Sequence, residues 1–97
     1  MEKERIYSMP VVSEGSVLSI GSYTEERKQL LQHLFDRHKQ DGAVVDYHVD
    51  VLASRVSKGS RIRLILKVIP GDPGKYTLAE RMLYAQFKNV VRVGEEK

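Results

Sequence analysis

The fold is decided by residues 44–69, which read VVDYHVDVLASRV (44–56), SKGS (57–60) and RIRLILKVI (61–69). Polar and apolar residues alternate in both flanking segments, and this period of two predicts β-strands. The segment between them is short and contains a glycine. The two strands are therefore expected to pair as an antiparallel hairpin with its turn centred on Lys58-Gly59.

The two faces of this predicted hairpin differ in polarity. One face is apolar in its middle, with the pairs Val49–Val68, Val51–Leu66 and Ala53–Leu64, and with Tyr47 and Val45 beyond them. The other face is mixed, with the pairs Asp50–Lys67, Leu52–Ile65, Ser54–Arg63 and Val56–Arg61. A slip of one residue would bring Arg and Asp into the core, so the sequence specifies which side chains share a face. A four-residue loop would keep the same faces, and the turn type stays open.

A helix is predicted before the hairpin. Ser22 followed by Glu25 is a capping-box pattern, and it predicts a helix that runs to Gln40 and ends before a left-handed Gly42. The apolar stripe of this helix consists of Leu30, Leu31, Leu34 and Phe35. His38 is expected to border this stripe and His33 to face solvent. Being five positions apart on a helix, the two imidazoles cannot share a ligand.

A second helix is predicted after the hairpin. Thr77 with Glu80 is another capping box, and the helix should run to about Lys88. Its inward residues are expected to be Ala79, Met82, Leu83 and Phe87. Two short strands complete the set, Ser16–Ile20 before the first helix and Val90–Val93 at the end of the chain.

The predicted order is strand, helix, strand, strand, helix, strand. Two helices on one face of an antiparallel four-stranded sheet make an α+β fold that resembles the ferredoxin-like βαββαβ plait, here with a long protruding hairpin. Ile6–Val12 is read either as an extra N-terminal edge strand, because Pro10 suits only an edge, or as an arm. The predicted division is residues 1–15 as N-terminal arm or edge strand and 16–97 as a single plait domain.

Composition excludes several classes of protein. The 97 residues contain no cysteine, which rules out disulfides, thiolate metal sites and a cysteine nucleophile. No apolar run is long enough for a membrane helix, and the N-terminal MEKER lacks the apolar stretch of a secretion signal. A cytoplasmic protein without a membrane partner is expected.

The sequence gives little support for an enzyme. The loop Gly71-Asp72-Pro73-Gly74-Lys75 departs from the phosphate-binding loop pattern in its spacing, although a helix start beside Lys75 could hold an anion. Asp46, His48 and Asp50 share one strand face, where they could bind a metal or form an acid/base set. A cross-strand ion pair between Asp50 and Lys67 is the simpler interpretation. Neither catalysis nor a cofactor is expected.

One charge pattern does indicate a function. Between Val51 and Gly71 the charged residues are all basic, namely Arg55, Lys58, Arg61, Arg63 and Lys67, which leaves 11 basic residues (16 minus 5) against 13 acidic ones elsewhere. The predicted hairpin is about 30 Å long, against about 17 Å for an ordinary central strand, so its end should extend past the sheet. A protruding cationic ribbon suits nucleic-acid phosphates, with Lys67 and Lys75 as secondary contacts. The alternative is a solvated edge that basic residues protect from aggregation.

The mixed face of the hairpin indicates a competing function. Leu52, Val56, Ile65 and Ile69 are apolar, and this face has no aromatic residue of the kind that stacks on RNA bases in other plaits. Such a face is typical of an assembly or regulatory subunit that forms a homodimer or binds a protein partner. Ordinary surface apolarity is the other interpretation.

Overall fold

The computed structural model describes residues 4–11, 20–56 and 59–95. In chain order the elements are β1 (Arg5–Pro10), α1 (Ile20–Gln40), β2 (Val44–Val56), β3 (Gly59–Pro70), α2 (Pro73–Gln86) and β4 (Val91–Glu95). All neighbouring strands are antiparallel, and their order across the sheet is β2-β3-β1-β4. The predicted α+β class with two helices and a four-stranded antiparallel sheet is confirmed, and it is compatible with a ferredoxin-like fold. Neither of the two helices in these segments has the length and apolarity to span a bilayer.

The first strand lies elsewhere in the sequence than predicted. β1 occupies an interior position between β3 and β4, so the expectation of an N-terminal edge strand is wrong. Pro10 is the last residue of β1, where its missing N–H removes no hydrogen bond from the middle of the ladder. Ile20, expected to end a strand, begins α1. The rest of the predicted strand Ser16–Ile20 lies outside the described residues.

β2 and β3 form the long hairpin, but their register differs from the predicted one by two residues. Val49 lies opposite Leu66 instead of Val68, and the last pair is Val56 with Gly59. Because the shift is an even number, the predicted division of side chains between the two faces is kept. The individual pairs change, and Lys67 lies opposite His48 instead of Asp50.

A β-bulge at the start of β2 exchanges the positions of two valines. Val44 pairs with Pro70 and Asp46 pairs with Ile69, which leaves Val45 between them without a direct partner. Val44 is buried, whereas Val45 is 49% exposed. The prediction that Val45 continues the apolar face is therefore wrong, because an extra residue in one strand reverses the alternation before it.

α1 begins earlier than predicted and ends as predicted. Ser22 lies inside the helix, which starts at Ile20, and so Ser22 is not the N-cap. Gly42 has a φ of +83°, the left-handed conformation expected of a C-terminal glycine. The Gly42 N–H donates to the Lys39 carbonyl at 3.3 Å and the Ala43 N–H donates to the His38 carbonyl at 3.0 Å. This pair of bonds is a Schellman motif.

α2 also begins before its predicted start. Asp72 is the N-cap, its carboxylate accepting from the Lys75 N–H at 3.0 Å, and Pro73 is the first helical residue. The Thr77 hydroxyl instead donates to the Pro73 carbonyl at 3.0 Å from within the helix, so the capping box at Thr77 is wrong. The additional turn brings Tyr76 into the core, where it is 5% exposed.

The core lies between the helices and one face of the sheet. Its buried apolar residues come from both helices and from β1, β2 and β3, and they are Tyr7, Met9, Leu31, Leu34, Phe35, Ala43, Val44, Val49, Leu64, Leu66, Val68, Tyr76, Ala79, Leu83 and Phe87. Leu30 and Met82 were predicted to face inward, but they are 40% and 41% exposed. Those two predictions are wrong, because the buried stripe of each helix is narrower than its apolar sequence.

Candidate nucleic-acid interface and open sheet face

The distal part of the hairpin extends beyond the rest of the sheet. We call residues 51–56 of β2 and 59–64 of β3 the ribbon. β1 pairs with β3 only as far as Arg63, with one further bond from the Val11 N–H to the Ile62 carbonyl at 2.9 Å. Within the described segments, residues 59–61 pair with β2 alone. At about 3.3 Å per residue, this end of the ribbon extends about 10 Å past β1.

Both faces of the ribbon are accessible at its base. Val51, on the side of the helices, is 43% exposed, and Leu52, on the opposite side, is 54% exposed. Ala53 is exposed as well. The helices therefore stop covering the hairpin before it leaves the sheet, and the molecule is elongated, with principal extents of 42 × 27 × 18 Å.

The ribbon sequence contains cations and no carboxylate. Arg55 and Arg61 lie at strand positions opposite Ser60 and Ser54, respectively. The Arg63 Nε–H donates to the Ser8 hydroxyl at 2.6 Å, so the described partner of this guanidinium is a neutral group. The side chains of Arg55, Lys58 and Arg61 lie outside the described residues.

Lys75 is at the opposite end of the hairpin from the ribbon tip. Its ammonium group donates to the Asp41 carbonyl at 2.9 Å, just before β2 begins. The twelve residue steps from Val44 to Val56 correspond to about 40 Å. Lys75 and the ribbon tip therefore cannot bind the same few phosphates. The Asp72 carboxylate already accepts from the Lys75 N–H at the start of α2, which is the place where the sequence predicted that an external anion could bind.

The sheet face away from the helices, which we call the open face, has more apolar surface than the hairpin sequence indicates. Leu52, Ile65 and Ile69 lie on it as predicted, the two isoleucines half-buried. β4 adds Val91, which lies opposite Ser8 and is 52% exposed. No aromatic side chain lies on this face among the described residues. The side chain of Val56, also predicted here, is outside them.

Asp46, His48 and Asp50 form separate pairs. Lys39 Nζ donates to Asp46 Oδ1 at 3.2 Å, and His48 Nε2 lies 2.8 Å from Asp50 Oδ1. The Tyr47 N–H and the Lys39 ammonium group hold the pKa of Asp46 below its usual value. No group of three potential metal ligands comes together within the described segments. The predicted Asp50–Lys67 pair is wrong, because Lys67 lies between His48 and Ile6.

A polar network joins β1 to α2, and it is not among the sequence predictions. The Tyr7 hydroxyl donates to the Glu80 carboxylate and lies 2.5 Å from the Tyr76 hydroxyl, which must then donate to Tyr7. The Arg5 guanidinium carbon lies 4.9 Å from the centre of the Tyr76 ring, and Arg5 Nη1 lies 3.8 Å from Glu80 Oε2. Tyr7 is fully buried. Burial and the bond to Glu80 raise the pKa of Tyr7 far above its ordinary value.

This network has the hydrogen-bonded groups of an acid/base site, but its two tyrosines are buried, and only Arg5 and Glu80 are partly exposed. Each hydroxyl is bonded within the cluster, and burial also raises the pKa of Tyr76. A signal was present in the sequence, since Tyr7 and Met9 alternate with Ser8 and Pro10 as in a strand. What the network can do is hold β1 against α2.

His38 is the one buried imidazole among the described residues. It is 8% exposed, and its ring meets the Phe35 ring edge-on at a centroid distance of 5.2 Å. Its Nε2 has no hydrogen-bond partner in the described part of the chain. Burial lowers the pKa of His38, with Asp41 opposing that effect and Arg37 adding to it. The predictions that His38 borders the apolar stripe and that His33 is exposed are confirmed.

Comparisons with known proteins give no relative for this chain. Neither a protein-family model, nor a curated protein, nor a solved structure matches it. Its function therefore has to be inferred from its own residues and geometry.

Proposed function

We propose that this chain is a small non-enzymatic binding protein that contacts nucleic-acid phosphates through the ribbon. The observation that carries the proposal is the combination of shape and charge at one end of the molecule. The end of the ribbon projects past β1, and the sequence from Val51 to Leu64, including the connection between the two strands, holds Arg55, Lys58, Arg61 and Arg63 without a carboxylate.

The physical reason is the release of counterions. Phosphates condense cations around a nucleic acid, and each phosphate that a protein cation neutralises releases them. The first acidic residue along β2 from the ribbon is Asp50, which lies opposite Ile65 at the base. The sequence from Ser54 to Ser60 contains three serines and one glycine, and such small residues allow the backbone to approach a phosphate closely. The arrangement thus supports charge-driven binding, with Lys67 as a secondary contact.

The test is the affinity for nucleic acid across a salt series. With four to five phosphates engaged on duplex DNA, the logarithm of the binding constant should fall against the logarithm of salt concentration with a slope of about −4 to −5. The double variant Arg61→Glu/Arg63→Glu should abolish binding at moderate salt. Its control, Arg81→Glu/Lys88→Glu, makes the same charge change at two exposed positions on and after α2 and should retain the steep slope.

Two results would reject the proposal. One is binding that does not depend on salt, and the other is an equal loss in the ribbon variant and the α2 control. Thermal unfolding of each variant is needed beside the binding measurement, because Arg63 also bonds to Ser8.

A second candidate function is supported by the open face. Leu52 and Val91 are each about half exposed on a side of the sheet that no described helix covers. On this proposal the chain is an assembly or regulatory subunit that forms a homodimer or binds a protein partner through that face, with Ile65 and Ile69 at its centre.

Solution mass separates this candidate from the first. Val91→Asp places a charge on the open face, on β4, which β1 separates from β3. It should convert a dimer to a monomer with a smaller loss of nucleic-acid affinity than Arg61→Glu/Arg63→Glu shows. Leu78→Asp is the control, because Leu78 is 60% exposed on α2. A monomeric mass at every protein concentration, or the same shift in both variants, argues against a homodimer through this face.

A further inference from the structure

We infer that the ligand of the ribbon is B-form duplex DNA, bound in its major groove. This inference rests on the proposed function and goes beyond it by naming the form of the nucleic acid. The B-DNA major groove is about 12 Å wide and about 8.5 Å deep, and it admits a two-stranded β-ribbon. The ribbon extends about 10 Å past β1, which is enough to reach the floor of such a groove before β1 meets its rim.

The accessible faces of the ribbon fit a groove better than a flat surface. A ribbon inside a groove meets a phosphate backbone on each side, so cover by a helix on either face would block entry. Val51 and Leu52 are exposed on opposite faces at the ribbon base. Nearer the tip, Arg55 pairs with Ser60 and Arg61 pairs with Ser54, so each cation has a small residue across from it.

Other forms of nucleic acid fit less well. Single strands are held by aromatic side chains on which bases stack, and the open face has none among the described residues. A-form RNA duplexes have a deep and narrow major groove that side chains cannot read, and this ribbon is two strands wide. The minor groove of an A-form duplex is wide but shallow, so it would receive little of a ribbon that extends about 10 Å past β1, whereas the major groove of B-DNA is both wide and deep enough.

The experiment compares a mixed-sequence DNA duplex, one of its strands alone, the RNA duplex of the same sequence, and heparin, all at one salt concentration. The full chain should bind the DNA duplex about tenfold or more tightly than the other two nucleic acids. A minor-groove ligand such as netropsin should leave the complex intact, and the protein should protect guanine N7, a major-groove atom, from methylation.

A charge-neutral variant tests groove entry directly. Ser60→Trp widens the ribbon near its tip and should weaken binding to the DNA duplex about tenfold while leaving heparin binding unchanged. Leu78→Trp, at an exposed position of α2, should change neither.

The outcomes separate the inference from the proposed function. Equal affinity for all four polyanions, displacement by netropsin, or equal binding by Ser60→Trp and wild type would overturn the major-groove inference while leaving phosphate binding in place. Tighter binding of the single strand or of the RNA duplex would also overturn it. If none of the four is bound at low salt, the proposed function fails together with the inference.

Discussion

Removing the Tyr7 hydroxyl is expected to cost more stability than any other single-atom deletion on β1. In Tyr7→Phe the Glu80 carboxylate loses a donor and the Tyr76 hydroxyl loses its acceptor, while the ring still fills a fully buried position. A hydrogen bond to a charged group contributes about 1.5–3 kcal/mol and a neutral one about 1 kcal/mol. In the variant, Arg5 still partly balances the charge of Glu80, because its Nη1 lies 3.8 Å from Glu80 Oε2. The expected loss in the free energy of unfolding is therefore about 2–4 kcal/mol.

The measurement is urea unfolding at neutral pH, with Tyr84→Phe as the matched control. Tyr84 is 45% exposed, and its ring packs edge-on with the Tyr7 ring at a centroid distance of 6.3 Å. The control therefore removes the same chemical group from a neighbouring tyrosine outside the network. It should alter the free energy of unfolding by no more than about 0.5 kcal/mol. An unchanged slope of the free energy of unfolding against urea concentration would show that the native state is otherwise intact.

Alkaline pH provides a second readout of the same network. The folded state raises the pKa of Tyr7 and of Tyr76, so their contribution to stability is complete below the unfolded tyrosine pKa of about 10 and is lost as pH rises above it. Each such tyrosine lowers the free energy of unfolding by up to about 1.4 kcal/mol per pH unit. Tyr7→Phe should therefore lose stability less steeply between about pH 10 and 11. Equal costs for Tyr7→Phe and Tyr84→Phe, together with equal alkaline slopes, would refute this account.

Three further predictions concern the connection before α2, the buried histidine and the core. Gly71→Ala should destabilise the protein by about 2 kcal/mol or more in urea unfolding, because its Cβ would lie 2.4 Å from the Gly42 carbonyl oxygen. Gly74→Ala, with only an ordinary contact at its Cβ, should be neutral or slightly stabilising. A larger loss in Gly74→Ala than in Gly71→Ala would contradict the close approach at Gly71. Burial lowers the pKa of His38, so stability should be complete above the unfolded histidine pKa of about 6.5 and fall below it, and His38→Leu should reduce that fall when unfolding is measured from pH 7 to 5. Leu83→Ala should cost about 2–5 kcal/mol in the same assay at a fully buried position, whereas Leu78→Ala at 60% exposure should cost well under 1 kcal/mol, and similar values for the two would place Leu83 outside the core.

Alternation in the hairpin sequence predicted the faces of β2 and β3 but not their register. A shift of two residues leaves every side chain on the same face, so the hydrophobic pattern cannot distinguish the predicted pairing from the observed one, whose last pair is Val56 with Gly59. The bulge at Val45 was also invisible, because two adjacent valines are equally apolar and only pairing with Pro70 decides which one is buried.

Errors at the N-terminus and at α2 have a common physical cause. Both elements have a proline at one end. The sequence reading takes Pro10 as a sign of an edge strand, and at α2 it takes Thr77 as the cap and passes over Pro73. Pro10 ends an interior strand and Pro73 opens a helix after Asp72, both positions where a missing N–H is tolerated. With Pro73 as the first helical residue, Tyr76 falls on the inward face of α2, where its hydroxyl is bonded to that of Tyr7.

The candidate sites were predictable to different extents. The gap in acidic residues from Val51 to Gly71 is a property of the sequence alone, so the cationic segment can be located from the order of the residues. Val91 could not be assigned to the open face from the sequence, because the strand order that places β4 beside β1 depends on contacts distant in sequence.

The segment that follows α1 is bonded to the segment that precedes α2, and this contact bears on how the hairpin is closed. The Gly71 N–H donates to the Ala43 carbonyl and the Asp72 N–H to the Gly42 carbonyl, both at 2.9 Å. These bonds join the chain where the hairpin starts to the chain where it finishes, whatever connects its strands at the far end. Doubling a flexible loop adds only about 0.6 kcal/mol of closure entropy. The connection at residues 57–58 is therefore the place where this scaffold should accept inserted or exchanged segments without loss of its fold.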